Sequence, residues 1–288
     1  MSVIQFEKMQ ATGNDFIVYY THDMPKNTAA LAQKLCHRHF GIGADGLLLA
    51  LPSVTADIRM LVLNADGSES QTCGNGLRAL ARFAMERGYV TNVSNNITIE
   101  TACGISNVEL FYHKDKMISL EVNMGRPYLN PANIPVSTVK GLGEMCNLLT
   151  AKYPLSLDEI QMGLAFVGMG NPHAIYFQDQ PVASFPLDRI GPKVENHDLF
   201  PQRTNFEVAR VLSLKQIEVR IWERGVGETL ACGSGVCAVA VAAHLLSLTE
   251  NQVSVRVPGG NLDVRWDGQG EVFLKGPAEF IYRGTVEI

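Results

Sequence analysis

Two short segments of this chain nearly repeat one another. Glu69-Ser70-Gln71-Thr72-Cys73-Gly74-Asn75-Gly76 lies in the first half, and Glu228-Thr229-Leu230-Ala231-Cys232-Gly233-Ser234-Gly235 in the second. Each runs into an apolar stretch of helical character, so the fold has to present a cysteine at a helix start twice. A second landmark recurs with them: Thr12-Gly13-Asn14-Asp15 resembles Met169-Gly170-Asn171-Pro172-His173. Asn14 stands 59 positions before Cys73, and Asn171 stands 61 before Cys232. A repeat of domain size predicts two related lobes and not a solenoid. With 288 residues, 46% of them hydrophobic, the chain has apolar mass for two ordinary cores.

Runs rich in β-branched and aliphatic residues predict strands at 57–63, 97–100, 108–112 and 118–122 in the first half. The second half answers with 174–177, 218–222, 253–257, 262–266 and 271–274, and 279–288 closes the chain as another. Helices are expected at 27–38, 76–87 and 235–248, with a shorter one opening at 156–161. Gly88 is a stop signal after the second. The stretch 235–248 is apolar on nearly every side, which predicts a helix enclosed by sheet. A Pro- and Asn-rich segment, 125–135, is the expected crossover. The domain reading is therefore residues 1–126 as a lobe carrying Cys73, completed by 277–288, and residues 127–276 as a lobe carrying Cys232, with the site in the cleft between.

Composition removes several classes of function. A net charge of −5 with no Lys/Arg-rich run argues against a nucleic-acid partner. The first twenty residues lack a basic start leading into an apolar run, so no secretory signal is expected. The longest apolar stretch, 236–248, contains His244 and is too short to span a bilayer. A cytoplasmic enzyme, off the membrane, is the expectation. The six cysteines form neither paired C-x-x-C metal sites nor a secreted disulfide framework. Cys36, Cys103, Cys146 and Cys237 read as buried small apolar residues, with Cys103-Gly104 at a turn.

Cys73 and Cys232 differ because each stands directly ahead of a glycine-rich helix start. Amides and the dipole at a helix start favour a thiolate, so a thiol there is expected to ionise near neutral pH. The same amides, at Gly74-Asn75 and Gly233-Ser234, can hold a substrate carboxylate. If one carboxylate sat between two such helix ends, its α-carbon would lie between two sulfurs. One thiolate would remove a proton and the opposite thiol would return one to the other face. A lone C-G-x-G is more often only a turn into a helix; two matched copies shift the balance toward chemistry.

In this order the motifs resemble those of the diaminopimelate epimerase family, cofactor-independent enzymes that interconvert LL- and meso-diaminopimelate. The resemblance covers nearly the whole length. It rests on Thr12-Gly13-Asn14-Asp15-Phe16, Gly41-Ile42-Gly43-Ala44-Asp45-Gly46, Asn64-Ala65-Asp66-Gly67-Ser68-Glu69 and the Cys73 motif, then on Gly170-Asn171-Pro172-His173, Thr204-Asn205-Phe206, Glu223-Arg224-Gly225 and the Cys232 motif. It implies an α/β (α+β) fold of two similar lobes, each a curled mixed/antiparallel sheet around a central helix. It implies Cys73 and Cys232 as the acid/base pair, Cys73 donating and Cys232 accepting in the LL-to-meso direction. Substrate contacts would fall to Asn14, Asn64, Gly74, Asn75, Asn171, Asn205, Glu223, Arg224, Gly233 and Ser234. His173 and Glu223 would tune the thiols, and Tyr282 would lie at a homodimer interface. No cofactor or metal is implied. One departure stands out: some members carry a glutamine where this chain has Gly46, and a glycine offers no side-chain contact.

Other readings remain open at this level. A related racemase could act on another small acid such as proline, which has no second carboxylate for Arg224. The same cysteines could serve thiol redox chemistry, or a binding module without catalysis.

Overall fold

The computed structural model describes residues 3–70, 73–91, 95–114, 116–137 and 153–288. The chain divides into two compact units: Met1–Asn123 with Lys275–Ile288, and Met124–Leu274. The first contains β1 (Val3–Ala11), β2 (Asn14–Tyr20), α1 (Thr28–Cys36), β3 (Gly46–Leu51), β4 (Ile58–Asn64), β5 (Glu69–Ser70), α2 (Gly74–Glu86), β6 (Asn96–Thr101), β7 (Gly104–His113) and β8 (Lys116–Asn123). β1 is antiparallel to β2, β2 parallel to β3, and β3 antiparallel to β4. β4 is antiparallel to β5 and parallel to β6, and β6, β7 and β8 continue antiparallel.

The second unit repeats this scheme. Its elements are β9 (Tyr153–Leu157), β10 (Ile160–Gly168), β11 (Pro172–Phe177), α3 (Leu187–Glu195), β12 (Asn205–Ser213), β13 (Gln216–Glu223), β14 (Gly227–Thr229), α4 (Gly233–Leu245), β15 (Gln252–Val257) and β16 (Gly260–Arg265); the boundary at Leu274 falls within β17 (Phe273–Gly276). β10 and β11 are antiparallel, β11 and β12 parallel, β12 and β13 antiparallel. β13 is antiparallel to β14 and parallel to β15, which pairs antiparallel with β16. Strand for strand, β10 to β16 reproduce β1 to β7, with α4 in the place of α2. The outer partner also matches: β9 lies on β10, and the last strand, β18 (Glu279–Glu287), lies antiparallel on β1. The fold is mixed α/β, mostly sheet with few helices.

Each central helix is explained by its sequence. Small and apolar residues fill nearly every position of α4, and 235–243 are all buried. It packs on β10, β11, β12, β15 and β16, against Ile175, Ile217, Ile221, Val255 and Leu262. Full burial of each of Val236, Val239 and Val241 contributes about 1.5–3 kcal/mol. α2 packs on β1 to β4 and β6 to β8. It stops where Gly88 adopts a φ of +70°, with the Gly88 amide donating to Met85 O, as a left-handed C-terminal glycine should.

Two expectations need correction, and one helix is unexpected. Residues 156–161 form the β9–β10 hairpin and not a helix. Asp158 and Glu159 both take positive φ, 47° and 68°, which suits the two-residue turn of a right-twisted hairpin, and burial alternates along β9. Helix α3 has no counterpart among the expected elements, because Pro186, Gly191 and Pro192 read as breakers. Tertiary burial overrides them: Leu187, Ile190 and Val194 are buried in a cluster with Phe166, Phe185 and Phe206. Cys103 is exposed in the β6–β7 turn and not buried, while Cys36 and Cys237 are buried; Cys146 lies outside the described residues, as do Gln71 and Thr72. The segment read as a crossover is held to the second unit by paired Tyr128–Gly168 backbone bonds of 2.8 Å and by buried Ile134 and Val136. No helix among the described residues is long and apolar enough to cross a membrane.

Trp222, next to Glu223, is clamped against α3. Its Nε1 donates to Glu195 Oε2 at 2.7 Å, and its ring would lie 2.5 Å from a Cβ at Gly191. Gly191→Ala should gain up to about 1 kcal/mol of helix propensity but lose more, about 1–3 kcal/mol, to overpacking against a ring that cannot retreat. Urea denaturation should therefore show a less stable variant. Equal or greater stability would mean the ring is not fixed.

Candidate active site

In the first unit the site begins at the helix start. Cys73 is the N-cap of α2 in an extended conformation, and its partly exposed Sγ accepts from the Gly76 amide at 3.2 Å. The next residues, Gly74 and Asn75, are buried. A fully buried arginine, Arg78, ties this turn to its neighbours. Nη2 donates to Asn75 Oδ1 at 2.7 Å and to Thr12 Oγ1 at 3.2 Å, Nη1 to Gly74 O at 3.4 Å and Nε to Pro277 O at 3.2 Å. Thr12 and Gly13 take positive φ, 54° and 85°. That sharp turn delivers Asn14, whose Oδ1 is buried without a hydrogen-bond partner.

The motifs around Asn14 and Gly46 turn out to be partners of each other. Asp15 sits between Lys8 Nζ at 2.6 Å and Arg38 Nη2 at 2.9 Å, and Arg38 also holds Asp45 at 2.6 Å. Burial pushes the Asp15 carboxyl up, but Arg38 and Lys8 prevail and hold it below the usual carboxylate range. Gly46 stands in β3 opposite Phe16 of β2 and Asn64 of β4; a Cβ there would lie 3.0 Å from Leu63 O. Asn64 is exposed at the end of β4 and donates to Ser68 Oγ at 2.9 Å, apart from the Arg78 network.

The second unit buries a histidine and a carboxyl at the corresponding place. Asn171 follows Gly170, φ 84°, as Asn14 follows Gly13. Its Oδ1 meets His173 Nε2 at 2.8 Å, and His173 Nδ1 meets Glu207 Oε1 at 2.7 Å. His173 and Glu207 are both fully buried. Asn205 donates to Pro172 O at 2.8 Å and accepts the Arg224 amide at 2.9 Å, which fixes the turn after β13. Glu223 Oε1 accepts from Thr229 Oγ1 at 2.6 Å, and the Arg224 guanidinium donates to Gln202 O at 2.9 Å. Cys232 caps α4, with Sγ 3.4 Å from Ser234 Oγ. Tyr282 lies elsewhere, on β18, with its ring edge-on to Phe6 at 6.1 Å.

Arg78 and Glu207 do not stand out in the sequence. Arg78 reads as an ordinary helix-surface residue; its spacing of three from Asn75 is the available signal. Glu207 lies two residues after Asn205 on a strand, hence on the same face.

A helix start is expected to ease ionisation of both thiols. At Cys232 the opposite holds. Burial pushes the thiol well above its usual range and Glu223 adds to the shift; the Ser234 hydroxyl and the Gly235 amide favour the anion but lose, and Glu207 raises the thiol further. The folded protein keeps this proton where an unfolded chain, with a thiol pKa of about 8.5, gives it up. Stability from this group is thus full below that pH and is lost as pH rises past it. Cys36, pushed by burial up to about 11, contributes in the same direction. Denaturation midpoints should fall above about pH 8.5, and less steeply in Cys232→Ser. Equal alkaline slopes in the two proteins would contradict a protonated Cys232.

Known proteins resemble this chain in sequence and in fold. The family model described as diaminopimelate epimerase matches residues 6–130 and 165–281. A diaminopimelate epimerase of Desulfovibrio desulfuricans is 42% identical over 288 residues, with 99% of each chain covered. Among solved structures, a PhzF-family phenazine biosynthesis protein of Bacillus anthracis superposes with a TM-score of 0.73 at 14% identity, covering 100% of both chains. A probable proline racemase of Agrobacterium radiobacter gives 0.70 at 13% identity, covering 99% of this chain and 92% of the other. These two likenesses speak for the fold, and the sequence relationship speaks for more: the chain belongs to the diaminopimelate epimerase family, a family of isomerases.

Proposed function

We propose that this chain interconverts LL- and meso-diaminopimelate without a cofactor, by proton transfer between the substrate α-carbon and the thiols of Cys73 and Cys232. In this reading the reaction serves lysine and peptidoglycan precursor synthesis in the cytoplasm. The observation that carries it is the recurrence, in two units of matching topology, of a cysteine capping a sheet-enclosed helix. A duplicated acid–base group is what inversion at carbon needs and what one-sided chemistry does not.

The neighbouring groups suit an amino acid with a second amino-acid end. The reacting carboxylate would be received by the amides of Gly74-Asn75 and Gly233-Ser234. The unpartnered Oδ1 of Asn14 would accept a substrate N–H, with Asn171 and Asn205 as further contacts. Glu223 would take an ammonium group. That pairing also removes part of the penalty on the Cys232 thiolate, because Glu223 is one of the charges raising it. Arg224 is only partly buried, with one bond from Nη1; its remaining donors suit a distant carboxylate, with Asn64 as a further contact. Cys73 donates and Cys232 accepts toward the meso isomer, and the roles exchange in reverse. Proline, without a second carboxylate, would leave Arg224 idle.

Cys73→Ala and Cys232→Ala should each lose net isomerisation by at least about 100-fold, the usual worth of a positioned acid or base. The measurement is solvent deuterium incorporation at the α-carbon of LL-diaminopimelate, alongside isomer analysis. Reduced protein that neither exchanges nor isomerises, or that prefers proline, would end this reading.

The protein is also proposed to act as a homodimer through the β18 region. Phe280, Ile281 and Tyr282 are 38%, 48% and 43% exposed in succession, a costly row of apolar surface for a monomer. Sedimentation should show a dimer that Tyr282→Ala weakens; a wild-type monomer at micromolar concentration would refute it.

A further inference from the structure

The two units set different side chains beneath matching helix starts. Phe16 of β2 stands opposite Gly46 of β3, and His173 of β11 stands opposite Asn205 of β12. Two residues along the receiving strands lie Leu48 and Glu207. Leu48 Cδ2 is 3.2 Å from where a Cβ on Gly76 would be, and Glu207 Oε1 is 2.8 Å from where one on Gly235 would be. Gly76 and Gly235 each follow their capping cysteine by three. The same space under the first turn thus holds a leucine methyl in one unit and a carboxyl in the other.

A carboxyl there is expensive unless it is used. Glu207 is fully buried, and its Oε2 has no hydrogen-bond partner. Its Oε1 faces His173 Nδ1, whose other nitrogen faces Asn171 Oδ1. With Nε2–H donated to that amide oxygen, one proton is shared between Nδ1 and Oε1. Its loss leaves a net negative charge beneath α4, in the same field that would otherwise favour a Cys232 thiolate. The charged groups that bear on Cys232 are Glu223 from β13 and Glu207 from β12, with His173 from β11 behind Glu207; Ser234 is the polar neighbour on α4 itself.

We propose that Glu207 is a positioning residue that clamps His173 and competes with the Cys232 sulfur for the positive end of α4. Phe16 and Leu48, at the matching positions of the first unit, supply no such charge. The duplicated half-sites are thereby made electrically unequal, and the proton inventory of the free protein is biased before substrate arrives. This role rests on reading Cys232 as an acid–base group, but its test needs no turnover.

The test is the thiolate ultraviolet titration of Cys232, taken as the difference between each protein and its Cys232→Ser counterpart. Glu207→Gln keeps the shape and removes the charge; the Cys232 midpoint should fall by at least about one pH unit, a tenfold gain in thiolate at pH values below both midpoints. Glu207→Asp retains the charge and should stay closer to the unsubstituted protein. An unchanged midpoint in a folded Glu207→Gln protein would overturn the inference. Ring-nitrogen NMR of His173 gives a second reading that does not depend on any Glu207 variant folding. Its resonances should show a step at the Cys232 midpoint that disappears in Cys232→Ser, and resonances without that step would equally overturn the coupling. A shifted midpoint in a protein inactive on diaminopimelate would instead sink the functional reading and leave the coupling standing.

Discussion

A helix wrapped by sheet is closed along its sides, so chemistry reaches it only at its ends. That constraint governs both units. The first amides of a helix have no partner within it, and α2 and α4 begin directly behind Cys73 and Cys232. The glycines in these turns are explained by the same enclosure. At the third position a side chain would press into Leu48 in one unit and into Glu207 in the other. The final glycine of each C-G-x-G segment is therefore a packing requirement of the strand beneath. The cysteine ahead of it lies just outside the helix, partly exposed at Cys73 and buried at Cys232.

The same enclosure opposes the chemistry it frames. A helix start stabilises an anion by about 0.3–1 kcal/mol at an exposed site and somewhat more when partly buried. Desolvation of a buried charge is larger. At Cys232 the larger effect wins, and two carboxylates add to it. A bound molecule that brings positive charge to Glu223 changes this balance in a way the empty protein cannot. In the proposed reaction, charge on the ligand would then be part of what activates the thiol.

Much of the fold is legible because each half repeats a run of strands around one glycine-led helix, which in the second half is apolar on nearly every side. The strand at 57–63 and the helix at 235–248 are strongly patterned over lengths that local propensity decides. Helix α3 is not legible, since Pro192 and Gly191 are breakers locally and only the cluster around Phe206 overrides them. The hairpin at 156–161 escapes a reading by propensity because left-handed backbone at Asp158 and Glu159 has no glycine to announce it. At the site, Cys73, Cys232, Asn14 and Asn171 stand out through their repetition. Arg78 and Glu207 do not repeat, and their importance lies in burial, which spacing alone does not report.

Positions that fail to repeat are as informative as those that do. The topology places Phe16 against His173, Gly46 against Asn205, Leu48 against Glu207 and Asn64 against Glu223 as equivalent positions of the two units. In every pair the second unit holds the more polar or more acidic side chain. Near Asn14 in the first unit, two cations and two anions are spent on one another in the Lys8–Asp15–Arg38–Asp45 cluster, and Arg78 adds a buried cation bonded to Thr12, Gly74 and Asn75. Divergence at these positions leaves both helix starts intact, because substitutions on the strand beneath a helix change the field at its first turn without moving the backbone that presents the sulfur.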